Sequence, residues 1–240
     1  MSMEYTKERA EELLSKAKNV NDIVGKLGGG KTRLVCVSKL KPASDIKALY
    51  DAGYRHFGEN YVQELTEKAK SLPKDINWHF IGGLQTNKTK DLAKNVDNLY
   101  AVETIDTEKK ARKLNSTREN VSKPIINIFI QVNTSGEEQK SGISPEDCEK
   151  LAKVILDECP KLHLQGVMTI GSIVESKSGG INHDFIKLAE VRKLLQENLK
   201  VELEMSMGMS SDFEEAIKQG STEVRVGSTI FGVRPPRNGH

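Results

Sequence analysis

Short apolar runs alternate with amphipathic segments along most of the chain, and this alternation predicts the fold. Eight strands are predicted, at residues 34–38, 54–58, 78–82, 99–103, 125–133, 164–169, 203–206 and 223–226. Helices are predicted between and after them, at about 43–52, 60–71, 86–95, 106–118, 145–157, 182–199 and 211–219. Eight such units favour an α/β fold of the (β/α)8 TIM barrel type, with an open doubly wound sheet as the alternative.

An extra N-terminal helix is predicted before the barrel, over residues 4–24, and the glycine-rich stretch 25–30 ends it. Residues 25–32 match the phosphate-binding pattern G-x-x-x-x-G-K-T letter for letter. That pattern binds phosphate when it follows a strand and opens a helix, whereas here a helix precedes it and a strand follows. We interpret it as a flexible turn. The expected organisation is one domain over residues 1–240, with the helix and glycine turn at 1–30 and the barrel at 34–233.

The composition excludes several classes of protein but does not indicate a function. The net charge of +2 gives no basic excess of the kind that nucleic-acid binding requires. No apolar run is long enough to span a membrane, and the N-terminus has no secretory signal. The three cysteines are odd in number and fit no metal spacing, so we expect reduced thiols and a cytoplasmic protein.

The lysine after the first predicted strand is the main candidate for chemistry. Lys39 follows Val35 and Val37 at alternate positions, so its side chain is expected on the same, core-facing side. A buried amine is costly unless it is used, and Schiff-base formation with a carbonyl compound is a common use. Lys41 lies beside Pro42 in the turn, where a solvated charge is expected. The alternative for Lys39, a strand-end lysine that reaches solvent, stays open.

Two loops near the end of the chain predict a phosphate site. Residues 206–210 follow the seventh strand and residues 227–229 follow the eighth, and both combine glycine with hydroxyl side chains. Arg225, within the last strand, is expected to face the site or to pair in the interior. With Lys39, these features suit a phosphorylated aldehyde, although each loop is also consistent with an ordinary turn. His79 is either an acid–base group or a hydrogen-bonded core histidine.

Seven segments together resemble the pyridoxal phosphate homeostasis family. They are VSKLKP at 37–42, FGENYVQE at 57–64, HFIGGLQTNK at 79–88, VNTS at 132–135, GVMTI at 166–170, SMGMSSDF at 206–213 and VRVGSTIFG at 224–232. The resemblance implies a single-domain barrel of the alanine racemase N-terminal type, fold-type III, that binds pyridoxal 5′-phosphate (PLP). It implies Lys39 as the aldimine lysine and Arg225 at the pyridine nitrogen. The other implied cofactor-binding residues are Asn60, Ser206, Met209, Ser210, Gly227 and Ser228.

The resemblance also implies a function in intracellular PLP (vitamin B6) homeostasis, with little or no turnover. An arginine at the pyridine nitrogen disfavours ring protonation and weakens the electron sink. Racemases of this fold use a tyrosine from an added C-terminal domain, and because the sequence ends at His240 we expect no such tyrosine here. The alternatives are a PLP-dependent amino-acid racemase and a cofactor-free Schiff-base aldolase acting on a sugar phosphate. We expect a monomer whose partners are PLP and apo forms of PLP-dependent enzymes, with no nucleic acid or membrane. The loop at 172–180 is longer and more polar than the family pattern.

Overall fold

Eight parallel strands close into a barrel in the computed structural model, which describes residues 1–233. The strands are β1 (Arg33–Val37), β2 (His56–Glu59), β3 (Asn77–Phe80), β4 (Leu99–Ile105), β5 (Ile126–Gln131), β6 (Leu162–Met168), β7 (Glu204–Ser206) and β8 (Glu223–Val226). Each strand pairs with the next, and β8 pairs back to β1. The TIM barrel is therefore confirmed over the open sheet. The last residues of the predicted domain, up to His240, lie outside the described part.

Helices surround the barrel at the predicted positions, with two additions. They are α1 (Lys7–Gly28), α2 (Ala43–Asp51), α3 (Val62–Ser71), α4 (Thr86–Asn95), α5 (Glu108–Asn120), α6 (Cys148–Glu158), α7 (Ile173–Ser176), α8 (His183–Leu199), α9 (Phe213–Lys218) and α10 (Ser228–Phe231). The additions are the short α7 and α10. Helix α7 lies within the predicted 172–180 loop because Ser172 caps it, its side chain accepting from the Glu175 N–H. Across residues 1–233, no helix combines the length and apolar character that crossing a bilayer requires.

Strand alternation sorts the core into two layers. Outward-facing residues such as Cys36, Trp78 and Val224 are fully buried against the helices. Inward-facing residues meet across the barrel. His79 of β3 lies 3.6 Å from Glu223 of β8, although these strands are not neighbours. The interior is therefore polar at this level, while the layer between strands and helices is apolar.

The N-terminal helix completes the outer layer beside β1 and β8. Helix α1 contacts α2, α9 and α10, and it buries Leu13, Ala17, Val20 and Val24. Because α9 and α10 are short, α1 supplies the long helical face that this part of the barrel would otherwise lack. Gly29 caps α1 with a left-handed φ of 59°, and β1 starts at residue 33. The predicted order, helix first and strand second, is confirmed, but α1 extends to Gly28, so the first four residues of the predicted turn at 25–30 are helical.

Leu13→Ala tests whether α1 is an integral layer. Leu13 is completely buried, so we expect the free energy of unfolding to fall by about 2–5 kcal/mol in chemical denaturation. Leu27→Ala, at a position 37% exposed on the same helix, is the control and should change little. Equal stability of the two variants would show that α1 is peripheral.

Candidate functional site

A cavity of about 370 Å³ opens at the carboxyl ends of the strands, where barrels of this type place their sites. Its apolar lining includes Val37, Ile81, Met168 and Ile170. Seven of the eight predicted cofactor-binding residues also line it, namely Lys39, Asn60, Met209, Ser210, Arg225, Gly227 and Ser228. Residues from both ends of the sequence therefore converge on one space of the size that small-molecule sites have.

Lys39 lies in a turn just beyond β1, which ends at Val37, one residue earlier than predicted. Val37 and Lys39 both line the cavity, in agreement with their shared face. The next residue, Leu40, has a φ of 62°, a left-handed conformation that is uncommon for a branched side chain. The Leu40 N–H donates to Glu64 Oε2 at 2.8 Å, which holds the turn in this conformation.

A buried ion cluster lies directly behind this turn. Lys68 of α3 donates to Glu59 Oε2 at 3.0 Å, to Glu64 Oε2 at 2.5 Å and to the Ser38 carbonyl at 3.0 Å. The Ser38 hydroxyl donates to Glu59. We call Lys68, Glu59 and Glu64 the Lys68 cluster. Burial raises the pKa of Glu59 to about 7, and the Lys68 ammonium opposes that shift. The cluster ties α3 and β2 to the backbone on both sides of Lys39.

The two predicted phosphate loops meet through one hydroxyl. Ser210 Oγ accepts from the Gly227 N–H at 3.2 Å and from the Thr229 N–H at 3.4 Å. The first loop turns at Gly208, whose φ of 104° suits glycine and whose Cβ would lie 2.6 Å from Ala216 Cβ. Backbone donors and the Ser210 hydroxyl are therefore gathered at one side of the cavity.

Ser206 does not lie at the cavity with the other residues of the predicted phosphate-binding segment. It is the last residue of β7, completely buried, and it does not line the cavity. Strand alternation turns its side chain into the barrel, where Arg225 Nη1 donates to Ser206 Oγ at 2.5 Å. Arg225 Nη2 donates to the Thr169 carbonyl at 2.9 Å. Ser206 therefore lies behind Arg225, and the guanidinium separates it from the cavity.

Below Ser206 lies an acidic cluster that the sequence interpretation missed. Ser206 Oγ is 2.6 Å from Glu103 Oε1 and 2.8 Å from Glu223 Oε2, and His79 Nδ1 is 2.6 Å from Glu103 Oε2. We call His79, Glu103, Ser206 and Glu223 the interior network. All four residues are completely buried. A glutamate within a predicted parallel strand, as at Glu103 and Glu223, is the signal that could have revealed it.

The charges of the interior network are compensated from two sides. Burial and the neighbouring Glu103 raise the pKa of Glu223 to about 7, and burial lowers the pKa of His79 to about 4. Arg33 donates to Glu223 Oε1 at 2.9 Å.

The possible metal-ligand atoms of His79, Glu103 and Glu223 lie within 4.8 Å of one another, and metal sites also use these residue types. Because each is already bonded to a protein partner, we interpret the cluster as a hydrogen-bond network.

The cavity also fits a polar organic cofactor on its own evidence. Asn60 lines the cavity, and its Oδ1 atom is buried and has no hydrogen-bond partner among the described residues. An unpartnered buried acceptor is costly, and a bound donor group would satisfy it. An amine, a guanidinium, hydroxyls and backbone N–H groups around an apolar wall suit a phosphorylated aromatic aldehyde.

Comparisons with known proteins agree with this geometry. The family model for the alanine racemase N-terminal domain matches residues 13–235. The pyridoxal phosphate homeostasis protein of Schizosaccharomyces pombe is 52% identical over 207 residues, which are 86% of either chain. The solved structure of PipY from Synechococcus elongatus PCC7942 with PLP bound is 28% identical, with a TM-score of 0.75, and covers 92% of this chain and 100% of its own. Alanine racemase of Clostridium difficile 630 shares the fold, with 15% identity, a TM-score of 0.73 and coverage of 94% and 58%.

Lys68→Met tests the Lys68 cluster. Removing the ammonium leaves Glu59 buried without its partner, so we expect a loss of about 3–5 kcal/mol in the free energy of unfolding. Lys70→Met, at an exposed position of α3, is the matched control. The Lys68→Met/Glu59→Gln double variant should recover part of the loss because the buried charge is gone. A Lys68→Met protein as stable as the control would contradict the assignment.

Proposed function

Because the chain belongs to the alanine racemase N-terminal domain family, and within it to the pyridoxal phosphate homeostasis proteins, we propose that it binds PLP in the strand-end cavity. In this proposal the protein holds and releases PLP in the service of intracellular vitamin B6 homeostasis. The observation that carries the proposal is the convergence of Lys39, Arg225 and the two phosphate loops on one cavity.

Each part of the cavity has a distinct task in this proposal. The Lys39 amine would hold the aldehyde carbon through a reversible covalent bond. Ser210, Gly227 and Ser228 would bind the phosphate, and Arg225 would face the pyridine nitrogen. Asn60 Oδ1 would accept from a cofactor donor. When bound, PLP supplies an electron sink for amino-acid chemistry, while the protein supplies orientation and electrostatics.

The residues that line the cavity are better suited to holding PLP than to catalysing an amino-acid reaction. Among the described residues that line it, Lys39 and Arg225 are the ionisable ones. A racemase removes and returns a proton on opposite faces of the substrate carbon, which calls for two proton-transfer groups. With one lysine amine beside a permanently charged guanidinium, these residues offer one such group. PLP-dependent amino-acid racemase activity is the alternative function.

Two further assignments are part of the proposal. The recipients of released PLP would be apo forms of PLP-dependent enzymes. The proposed location is the cytoplasm. This proposal is supported by the cysteines, because Cys36, Cys148 and Cys159 are all free and buried. The expectation of a monomer stays a prediction.

Borohydride reduction of the protein incubated with PLP, followed by peptide mapping, tests the covalent attachment. We expect a pyridoxyl group on Lys39 and a visible absorbance band that the Lys39→Ala variant lacks. Lys41→Ala is the matched control and should keep the band, because Lys41 Nζ donates to the Val233 carbonyl at 2.8 Å and does not line the cavity. An equally coloured Lys39→Ala protein would refute the proposal, and a colourless wild type would favour the cofactor-free aldolase.

Exchange of the Cα proton with solvent deuterium tests turnover. We expect no useful exchange rate for alanine, serine or other amino acids incubated with the PLP-loaded protein, because the cavity-lining residues within 1–233 offer a single proton-transfer group. Proton NMR of the amino acids, with free PLP at the same concentration as the control, measures it. Exchange well above that of free PLP, accompanied by loss of optical rotation, would instead support the racemase.

A further inference from the structure

We propose that the interior network positions Arg225 against the cofactor ring through one stored proton, with Glu223 as a carboxylic acid and Glu103 as a carboxylate. The role of the ring rests on the function proposed above. The presence of one proton on the two carboxyl groups rests on the geometry of the protein alone.

The argument begins with Ser206 Oγ, which lies within hydrogen-bond distance of three groups. Arg225 Nη1, at 2.5 Å, can only donate, so Ser206 Oγ accepts from it. Glu103 Oε1 lies at 2.6 Å and Glu223 Oε2 at 2.8 Å. A hydroxyl has a single proton and can donate to only one of these oxygens. The other carboxyl group must therefore donate to Ser206, which requires it to be protonated.

The surroundings decide which carboxyl group holds the proton. His79 is neutral, since burial lowers its pKa to about 4, so its two ring nitrogens have opposite roles. With the proton on Nδ1, His79 donates to Glu103 Oε2 at 2.6 Å, and Nε2 accepts from His56 Nδ1 at 2.8 Å. Glu103 then accepts from both His79 and Ser206, as a carboxylate does.

Glu223 completes the network as the acid. Its Oε2–H donates to Ser206 Oγ, and its Oε1 accepts from Arg33 Nη1 at 2.9 Å. In this arrangement every donor and acceptor of the interior network has a partner. With the proton on Glu103 Oε1 instead, the same contacts would form, since Glu103 Oε2 still accepts from His79, so these hydrogen bonds by themselves require one proton on the pair of carboxyl groups. Burial and Glu103 raise the pKa of Glu223 to about 7, which is consistent with the acid form.

Charge balance also requires one proton on the two carboxyl groups. Arg33 and Arg225 bring two positive charges to the network, from β1 and β8. Glu103 brings one negative charge, and Glu204 of β7, 3.1 Å from Arg33, brings another. His79 and His56, whose pKa values burial lowers to about 4, are neutral, and the ring of Tyr100 packs against both. Ionisation of both Glu103 and Glu223 would leave an uncompensated buried charge, so one proton keeps the network neutral.

Loss of the proton has a defined consequence for the cavity. Two carboxylates would then compete for the single Ser206 proton, and one would turn towards the nearest remaining donors, those of Arg225. The guanidinium would be drawn down into the barrel and away from the cavity. We therefore expect PLP affinity to fall as the pH rises through about 7, the pKa of Glu223 in the folded protein.

Carbon NMR of protein carrying labelled glutamate side chains tests the protonation without PLP and without a variant. The carboxyl carbon of Glu223, assigned through side-chain correlations, should titrate near pH 7. Infrared difference spectra of wild type minus Glu223→Gln at about pH 6 should show the carbonyl stretch of a buried carboxylic acid. Titration of Glu223 at its ordinary pKa of 4.5 would overturn the proposal.

PLP titrations monitored by visible absorbance test the positioning role. Glu223→Ala and Ser206→Ala should weaken binding about tenfold at pH 6, since Arg225 loses its support. Glu223→Gln, which keeps a neutral donor and acceptor, should rescue the affinity and remove the loss above pH 7. Glu202→Gln, at an exposed position, is the control and should follow the wild-type pH profile.

The outcomes separate this inference from the function on which it rests. A Glu223→Gln protein with the wild-type pH profile would refute the positioning role while PLP binding stands. A wild type that binds no PLP at any pH would refute the proposed function and, with it, the role at the ring. The NMR titration would still decide the protonation state of Glu223 in that case.

Discussion

The buried ion cluster around Lys68 is the interaction on which the geometry of the cavity depends. Lys39 lies in a turn where the next residue, Leu40, has a positive φ, a conformation that costs on the order of 1–3 kcal/mol when nothing supports it. Lys68 binds the Ser38 carbonyl on one side of Lys39, and Glu64 binds the Leu40 N–H on the other. The desolvation of these charges is offset only by their mutual contacts, so the turn and α3 are stabilised together.

Lys39 and Arg225 are fixed from opposite sides of the strand layer. The Lys68 cluster lies between the barrel and α3 and supports Lys39 by a full ion pair. The interior network lies inside the barrel and supports Arg225 through a hydroxyl and two carboxyl groups. The first arrangement depends on charge and the second on the position of a proton. Each arrangement contains a carboxyl group whose pKa burial raises to about 7, Glu59 in the first and Glu223 in the second, so both supports are expected to change with pH near that value.

Much of this arrangement could be predicted from the sequence. The eight strands follow from apolar runs, and the place of Lys39 follows from its parity with Val35 and Val37. Ser206 was placed on the phosphate segment because loop position was inferred from sequence adjacency, while its strand parity turns it inward. Glu103 and Glu223 were missed because their strands are not neighbours, so only the closed barrel brings them together across its interior.

The polar interior also bears on why a racemase-like fold would serve as a holder of its cofactor. A guanidinium that is backed by a neutral acid and one carboxylate keeps its positive charge, and a positive charge disfavours a proton on a ring nitrogen facing it. Without that proton the ring withdraws electrons less strongly, which weakens amino-acid chemistry but not binding. The same contacts pre-organise the cavity, which lowers the entropy lost when a ligand binds. In the proposed function, the network beneath Arg225 would therefore favour tight holding of PLP at the expense of catalytic power.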